Sequence, residues 1–210
     1  KCDAKYSYGW YRVGVNISAN ETVTINGSSY TRTQCLVEAL TLNAKDAITW
    51  HQLGVDIFST DKTVTVNGNC YNARQCILEA LKNDGGAARA WQNLGHGMST
   101  SETVDANGKQ YTRLQCYMEA VKCDAKYSYG WYRVGVNISE SETVSINGSS
   151  YTRAQCLVEA VTHDATNAEA WHQLGCGMAA DETVTINGSS CSKNSSEALV
   201  SNLLVPHFSC

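Results

Sequence analysis

The chain has 210 residues, a formal net charge of −4 and 43% hydrophobic residues, an ordinary composition for a folded protein. Its 16 basic and 20 acidic side chains are interspersed, so the basic patch expected of a nucleic-acid-binding protein is missing. No apolar run approaches the ~18 residues that cross a bilayer, and the sequence predicts no membrane span.

A repeat of about 40 residues organises the whole chain. Five tryptophans recur at intervals of 40, 41, 40 and 40 residues, and five Asn-Gly pairs recur at nearly the same intervals. A Gln-Cys pair marks the first four copies, while Ser196 stands at the cysteine position of the fifth. Because three independent markers share one period, the sequence predicts stacked structural repeats. The tryptophans are Trp10, Trp50, Trp91, Trp131 and Trp171.

Each copy is predicted to contain a helix, a hairpin and a second helix. Residues 153–161 carry an apolar stripe at helical spacing, and Ala168, Trp171 and Leu174 form the stripe of the next helix. Residues 182–190 alternate β-branched and polar side chains around Asn-Gly, which predicts a hairpin because both turn residues take positive φ. The helix pairs should begin near Tyr8, Ile48, Arg89, Tyr129 and Glu169.

Residues 159–175 resemble the junction between consecutive tetratricopeptide (TPR) repeats, where a helix ending in Ala-Leu meets an Ala-x-x-Trp-x-x-Leu-Gly helix, and residues 79–95 show the same pattern. The resemblance implies a mainly α fold, a right-handed α-solenoid of five TPR-like helix pairs in one domain spanning 1–210. The period exceeds the 34 residues of a TPR repeat by the inserted β-hairpin. The usual proline between units is replaced by Ala44, Gly85, Ala125 and Ala165. The repeats should cover approximately 4–44, 45–85, 86–125, 126–165 and 166–210.

The hairpins of successive repeats are predicted to lie close enough to pair. Stacked helices lie ~8–10 Å apart, and a hairpin of two strands is about 9.6 Å wide. We therefore expect the five hairpins to bond into a continuous sheet along one edge. The alternative is five independent surface hairpins, which are marginally stable in isolation.

Cysteines and glycosylation sequons indicate a secretory, oxidising compartment. We therefore expect an extracellular or cell-surface protein that carries N-linked glycans and disulfides. The alternative is a cytosolic protein whose cysteines are small core residues. The sequon asparagines are Asn16, Asn20, Asn26, Asn137, Asn147, Asn187 and Asn194. The candidate disulfide cysteines are Cys2, Cys35, Cys70, Cys76, Cys116, Cys123, Cys156, Cys176, Cys191 and Cys210.

Residues that could support catalysis or metal binding are few. His172 and Cys176 have the i, i+4 spacing that can hold a metal, but ordinary surface and packing roles are the simpler interpretation, and we predict no metal site and no cofactor. Tyrosines around Trp10 and Trp131 pack between repeats or form an aromatic ligand platform. No phosphate-binding glycine loop is present. The sequence therefore predicts that the protein is not an enzyme.

Repeats 1 and 4 are near copies of each other. Residues 1–18 are identical to residues 122–139, and only four of the first 39 positions differ. Repeat 1 therefore has the sequence of an internal repeat, although terminal repeats of a solenoid need polar outer faces. The last helix is also apolar on one side.

Two uncapped and complementary ends make a heterologous contact, which generates open filaments. We therefore expect a secreted, glycosylated structural protein that assembles head to tail with copies of itself into an extracellular filament or scaffold. One alternative is a monomeric TPR-like module that binds a protein or peptide. Another is a longer precursor or a missing N-terminal cap, either of which would explain the same open end. The residues expected at the end-to-end contact are Trp10, Val13, Leu199, Leu203 and Leu204.

Overall fold

The computed structural model describes residues 6–60, 62–179 and 181–204. Within these ranges ten helices and ten strands follow one another as helix, strand, strand, helix, five times over. The predicted mainly α fold with a hairpin in each repeat is confirmed. The chain divides into two compact units, Lys1–Tyr111 and Thr112–Cys210, which are described separately.

The elements have nearly the same length in every repeat. The helices of the first unit are α1 (Ser7–Asn16), α2 (Arg32–Leu42), α3 (Ala47–Ile57), α4 (Ala73–Asn83) and α5 (Ala88–His96). Its strands are β1 (Thr22–Ile25), β2 (Ser28–Thr31), β3 (Val64–Val66), β4 (Asn69–Tyr71), β5 (Thr103–Ala106) and β6 (Lys109–Thr112), which ends at the unit boundary. The helices of the second unit are α6 (Arg113–Cys123), α7 (Ser128–Gly135), α8 (Arg153–His163), α9 (Ala168–Gly177) and α10 (Lys193–Leu204). Its strands are β7 (Thr143–Ile146), β8 (Ser149–Thr152), β9 (Thr183–Ile186) and β10 (Ser189–Ser192).

Both helices of each repeat form where the sequence predicts them. The first helices, α1, α3, α5, α7 and α9, each begin one residue before the predicted position. The second helix of repeat 4 begins with a capping box, in which the Thr152 hydroxyl accepts from the Gln155 backbone N–H and the Gln155 side chain accepts from the Thr152 N–H. Two orphan backbone donors are thereby satisfied. This explains why a glutamine precedes the cysteine in these helices.

The Asn-Gly pairs form tight hairpin turns, as predicted. Asn147 and Gly148 have φ values of 51° and 84°, which matches the positive φ that both central residues need in the favoured two-residue turn. Corresponding asparagines and glycines take positive φ in the other four hairpins.

The recurring tryptophan joins three parts of each repeat. In repeat 4 the indole N–H of Trp131 donates to the Ala125 carbonyl at 2.8 Å, and its ring centroid lies 4.8 Å from that of Tyr151 on the hairpin. The first helix is therefore tied both to the turn before it and to the hairpin after it. Equivalent indole bonds reach the carbonyls of Ala44, Gly85 and Ala165, three of the residues that stand where the resembled TPR pattern has proline.

The continuous edge sheet predicted from the sequence is not shown. The described strands form five two-stranded sheets, each a single hairpin. A physical reason is visible within each unit, where β3 packs against α2 and β9 packs against α8 of the preceding repeat. A groove of about 370 Å³, lined by Tyr151, Val158 and Val184 among others, lies where hairpins 4 and 5 would have to pair. Each hairpin is therefore stabilised by helices rather than by its neighbouring hairpin.

The second unit has a continuous hydrophobic core. It contains Trp131, Trp171, Leu157 and Leu174 from helices and Ile146 and Ile186 from hairpins. In the first unit, Trp10, Cys35 and Ala39 form a smaller core cluster within repeat 1. No helix in the described part of the chain is both long enough and apolar enough for a membrane span.

Candidate functional site

Repeats 1 and 4 are nearly identical in sequence but differ in what surrounds them. The candidate site is the surface that is covered in repeat 4 and partly exposed in repeat 1. In repeat 4, helix α7 packs against α6 of the preceding repeat. A Cβ added to Gly130 would lie only 2.9 Å from Cγ1 of Val121 on α6. Val134, Ile138 and Ile146 are buried in the same core. Repeat 4 therefore shows how a preceding second helix covers this surface.

The same surface is open in repeat 1. Val13, Ile17, Val23 and Ile25 correspond to the buried residues of repeat 4 but are only half-buried. Tyr6 is 56% exposed, whereas its counterpart in repeat 4 is half-buried. We call these five residues the repeat-1 face. This partly exposed apolar surface consists of the same residue types as the surface of repeat 4 that α6 covers.

Arginines at one helical position distinguish the two surroundings further. Arg12 is exposed, and its Nη1 donates to the Tyr8 hydroxyl at 3.3 Å. Its counterpart Arg133 donates from Nη2 to the hydroxyl of Tyr117 at 2.7 Å, across the junction between α6 and α7. Burial lowers the pKa of Arg133, but the hydrogen bond to Tyr117 and the nearby phenols outweigh burial and leave that pKa raised. The guanidinium therefore stays charged inside the junction.

The outer side of the last helix is more polar than its apolar residues predict. Four second helices carry buried Leu36, Ile77, Tyr117 and Leu157 at one position, and α10 carries the exposed Glu197 there. Exposed Ser201 replaces the buried Val161 one turn later. We call Glu197 and Ser201 the repeat-5 face. Aligning the five second helices would have revealed this change from the sequence alone.

The residues expected at the end-to-end contact are placed differently by the structure. Trp10 is only 3% exposed and packs on Tyr30, so it supports the repeat-1 face from beneath instead of forming it. Val13 lies on the face, and Leu199 is 37% exposed. The side chains of Leu203 and Leu204 lie outside those described.

The expectation of disulfides is not met by the described cysteines, none of which forms a disulfide. One thiol in each of the first four second helices is buried. Burial raises the pKa of Cys76, Cys116 and Cys156 to about 12. A small apolar side chain suits this position because the cysteine packs against a helical glycine of its own repeat, as Cys76 does against Gly54. The cysteine count therefore gives no support for an oxidising compartment.

The four described cysteines outside this position are accessible to different degrees. Cys70, Cys123 and Cys176 are exposed, and Cys191 is half-buried. Cys2 and Cys210, the remaining disulfide candidates, lie outside the described residues.

We expect a native chain treated with iodoacetamide at pH 8 to be alkylated at Cys70, Cys123 and Cys176, while the buried helical thiols stay unmodified. The reactive species is the thiolate, and a thiol with a pKa of about 12 is almost entirely protonated at pH 8. Peptide mass spectrometry before and after urea denaturation measures this protection. Rapid native labelling of Cys76 would contradict the buried packing.

We expect the same thiols to make the free energy of unfolding depend on pH above about pH 9. Their pKa values are raised in the folded state from the ordinary value of 9.0 to about 12, so the unfolded chain loses these protons first. Their contribution is fully present below pH 9 and declines as the pH rises from 9 towards 12.

The sequon asparagines occupy three kinds of position. Asn26, Asn147 and Asn187 are exposed at hairpin turns, and Asn20 is exposed in the loop that precedes β1. Asn16 and Asn137 donate their side-chain amide to the carbonyls of Arg12 and Arg133, each at 2.7 Å. Asn194 lies in α10, where the Ser196 hydroxyl of its sequon is buried and bonded to the Ser192 carbonyl. The turn asparagines are therefore the most accessible predicted glycan acceptors.

The predicted absence of a metal site was based on sparse ligands, and the structure adds one local contact. Cys176 Sγ and His172 Nε2 lie 3.7 Å apart on the surface of α9. Among the described residues, no group of three or more His, Cys, Asp or Glu side chains could hold a metal ion.

Comparison with known proteins gives no family assignment, because neither a protein-family model nor a curated protein matches the chain. The likeness to TPR repeats therefore rests on the repeated residues quoted above and on the paired helices.

Proposed function

We propose that this protein is a non-enzymatic α-solenoid of TPR-like repeats that assembles head to tail into a filament or scaffold. The observation that supports this proposal is the repeat-1 face, which repeats the sequence of a covered internal surface but is itself open. In repeat 4 this surface is covered by a second helix, α6 of the same chain, and in the proposed filament a second helix of another copy takes that place. Because the two end faces differ, their contact is heterologous and extends into an open chain.

The size of the apolar contact limits how tightly two copies associate. Completing the burial of four half-buried aliphatic side chains gains roughly 3–6 kcal/mol, taking about half of the value for a full side chain. Association itself costs an estimated ~4–15 kcal/mol. The apolar face alone therefore supports only weak association, and polar contacts must contribute to a stable filament.

An extracellular, glycosylated filament is the form that we propose. The sequons support an extracellular location and glycosylation, since Asn26, Asn147 and Asn187 lie at exposed turns. Intact-mass analysis of protein from a secretory host tests this part, and a chain without added hexose at these sites would place the protein elsewhere.

We expect Val13→Asp to abolish head-to-tail assembly. The substitution puts a charge on the repeat-1 face, where a covering helix would have to desolvate it. Sedimentation velocity over a range of concentrations measures the loss of large species. Val55→Asp is the matched control, since Val55 is 41% exposed on an internal first helix. Monomeric wild-type protein at high concentration would contradict the proposal.

A monomeric protein- or peptide-binding module is the second candidate, favoured by an aromatic cluster in repeat 4. The rings of Tyr129 and Tyr132 have centroids 5.6 Å apart, and the guanidinium of Arg133 lies 5.8 Å from the Tyr129 ring centroid. The two tyrosine rings suit an aromatic peptide group. Under this function, the wild-type chain stays monomeric, and Tyr129→Ala weakens binding of a peptide selected from a library.

A further inference from the structure

We infer that Glu197 of one copy pairs with Arg12 of the next, and that this ion pair sets the direction of assembly. The inference rests on the proposed head-to-tail contact and names the residues that determine it. Both side chains are exposed in the described structure. They occupy the two positions that contact each other at the internal junction between α6 and α7.

The internal junction supplies the template for the contact between copies. On α6, Tyr117 is fully buried, and its hydroxyl accepts from Arg133 of the next repeat at 2.7 Å. Glu197 stands at the Tyr117 position of α10, one residue after Ser196, as Tyr117 stands one residue after Cys116. Arg12 stands at the Arg133 position, two residues after the tryptophan. Continuing the stack onto a second copy therefore places the Glu197 carboxylate against the Arg12 guanidinium.

The neighbouring position fits the same superposition. Val121 on α6 touches Gly130 so closely that a Cβ there would lie 2.9 Å away. The corresponding residues at the ends are Ser201 on α10 and Gly9 on α1. A serine is smaller than a valine, so it fits against the glycine without a clash. The repeat-5 face therefore stays compatible in shape with the repeat-1 face despite its polarity.

Polar contacts across repeat junctions are already a feature of this chain. Arg32 pairs with Asp56 at 3.0 Å, and Arg74 pairs with Glu102 at 2.5 Å, each from a second helix to the following repeat. Arg153 donates to the Gln173 side chain at 2.9 Å. A Glu197–Arg12 pair has the same character, with the acidic residue on the second helix and the basic residue on the following repeat.

The Glu197–Arg12 pair also explains why copies would assemble head to tail. Two repeat-5 faces would bring carboxylates together and two repeat-1 faces would bring guanidinium groups together, and like charges at an interface are strongly unfavourable. Only the head-to-tail arrangement brings opposite charges together. Glu197 thus replaces an apolar side chain without blocking the contact that its position makes.

The test is a charge exchange in the full chain, measured by sedimentation velocity at low salt. Arg12→Glu and Glu197→Arg each place like charges in the contact, and we expect each to weaken association at least about tenfold. An equimolar mixture of the two variants restores an opposite-charge pair at every contact, so we expect it to assemble like the wild type, within about threefold. Rising salt should weaken the wild type.

Charge-matched controls separate the pair from a general effect of net charge. Lys45→Glu and Glu140→Arg make the same charge changes at exposed residues outside the two faces, and both should leave assembly unchanged. Single variants that assemble like the wild type would overturn the ion pair and leave the head-to-tail proposal standing. A wild-type chain that stays monomeric would overturn both and identify Glu197 as a polar cap. Weakened single variants whose mixture also fails to assemble would overturn the direct pairing.

Discussion

Replacing Trp131 with alanine is expected to lower the free energy of unfolding by about 3–5 kcal/mol, the usual range for a buried tryptophan. Trp131 is 3% exposed, stacks at an angle on Tyr151 and donates to the Ala125 carbonyl. The substitution removes core packing. It also removes the hydrogen bond from the helix to the preceding turn and the ring contact with the hairpin. Urea denaturation followed by far-ultraviolet circular dichroism measures the change.

Trp131→Phe is the matched control that separates the loss of packing from the loss of the indole hydrogen bond. It keeps most of the aromatic packing and removes the indole N–H, so we expect a loss of about 1–2 kcal/mol. A Trp131→Ala loss below about 1 kcal/mol would show that the recurring tryptophan marks the repeat without stabilising it.

The repeat and its elements could be predicted from sequence because local signals determine them. The tryptophan spacing, the Thr-x-x-Gln capping residues such as Thr152 and Gln155, and the Asn-Gly turns each act within a few residues. The starts of the five first helices were predicted to within one residue.

The described strands do not form the predicted continuous edge sheet. The prediction compared the spacing of stacked helices with the width of a hairpin and did not consider which face of the hairpin is buried. Val184 and Ile186 on β9 belong to the core of the second unit, and seating them on α8 fixes where the hairpin lies. Pairing with the neighbouring hairpin would compete with that burial. Period-2 alternation indicated that one strand face is buried, but it could not tell which element buries it.

The disulfide expectation is not met among the described cysteines, for a related reason. An even number of cysteines is compatible with bridges, but Cys35 and Cys76 recur because a small side chain fits beside a helical glycine. Their recurrence with the repeat was itself the signal for packing. Of the candidate site, the repeat-1 face followed from the duplication, whereas the roles that we propose for Arg12 and Glu197 required the contact between Tyr117 and Arg133.

These observations indicate that the surroundings of a second helix decide whether a given position on it can hold a charged side chain. Leu157 and Glu197 stand at the same helical position of consecutive repeats. The first is 1% exposed between α7 and the following repeat, and the second faces solvent. A charge at this helical position is therefore solvated in α10, whereas it would be buried in α8.

Leu157→Glu should consequently be among the most damaging single substitutions in the chain. A Cβ on Gly135 would lie only 3.0 Å from the Leu157 side chain, and Leu157 also lies beside Leu174 of repeat 5. A carboxylate at this site loses its hydration without gaining a partner. We expect the free energy of unfolding at pH 7 to fall by at least about 3–5 kcal/mol, as for the worst cavity-forming changes at such sites.

The pH dependence separates a buried charge from a loss of packing alone. Burial raises the pKa of a carboxyl above its unfolded value, so the variant is least destabilised at about pH 4 and loses stability as the pH rises through the folded pKa. Leu157→Ala, which carries no charge, should be destabilised without this added pH dependence. Glu197→Leu is the reciprocal control and, measured at monomeric concentrations, should change stability by no more than about 0.5 kcal/mol. Equal losses for Leu157→Glu at pH 4 and pH 7 would show that the new carboxylate reaches solvent and that the junction between repeats 4 and 5 opens readily.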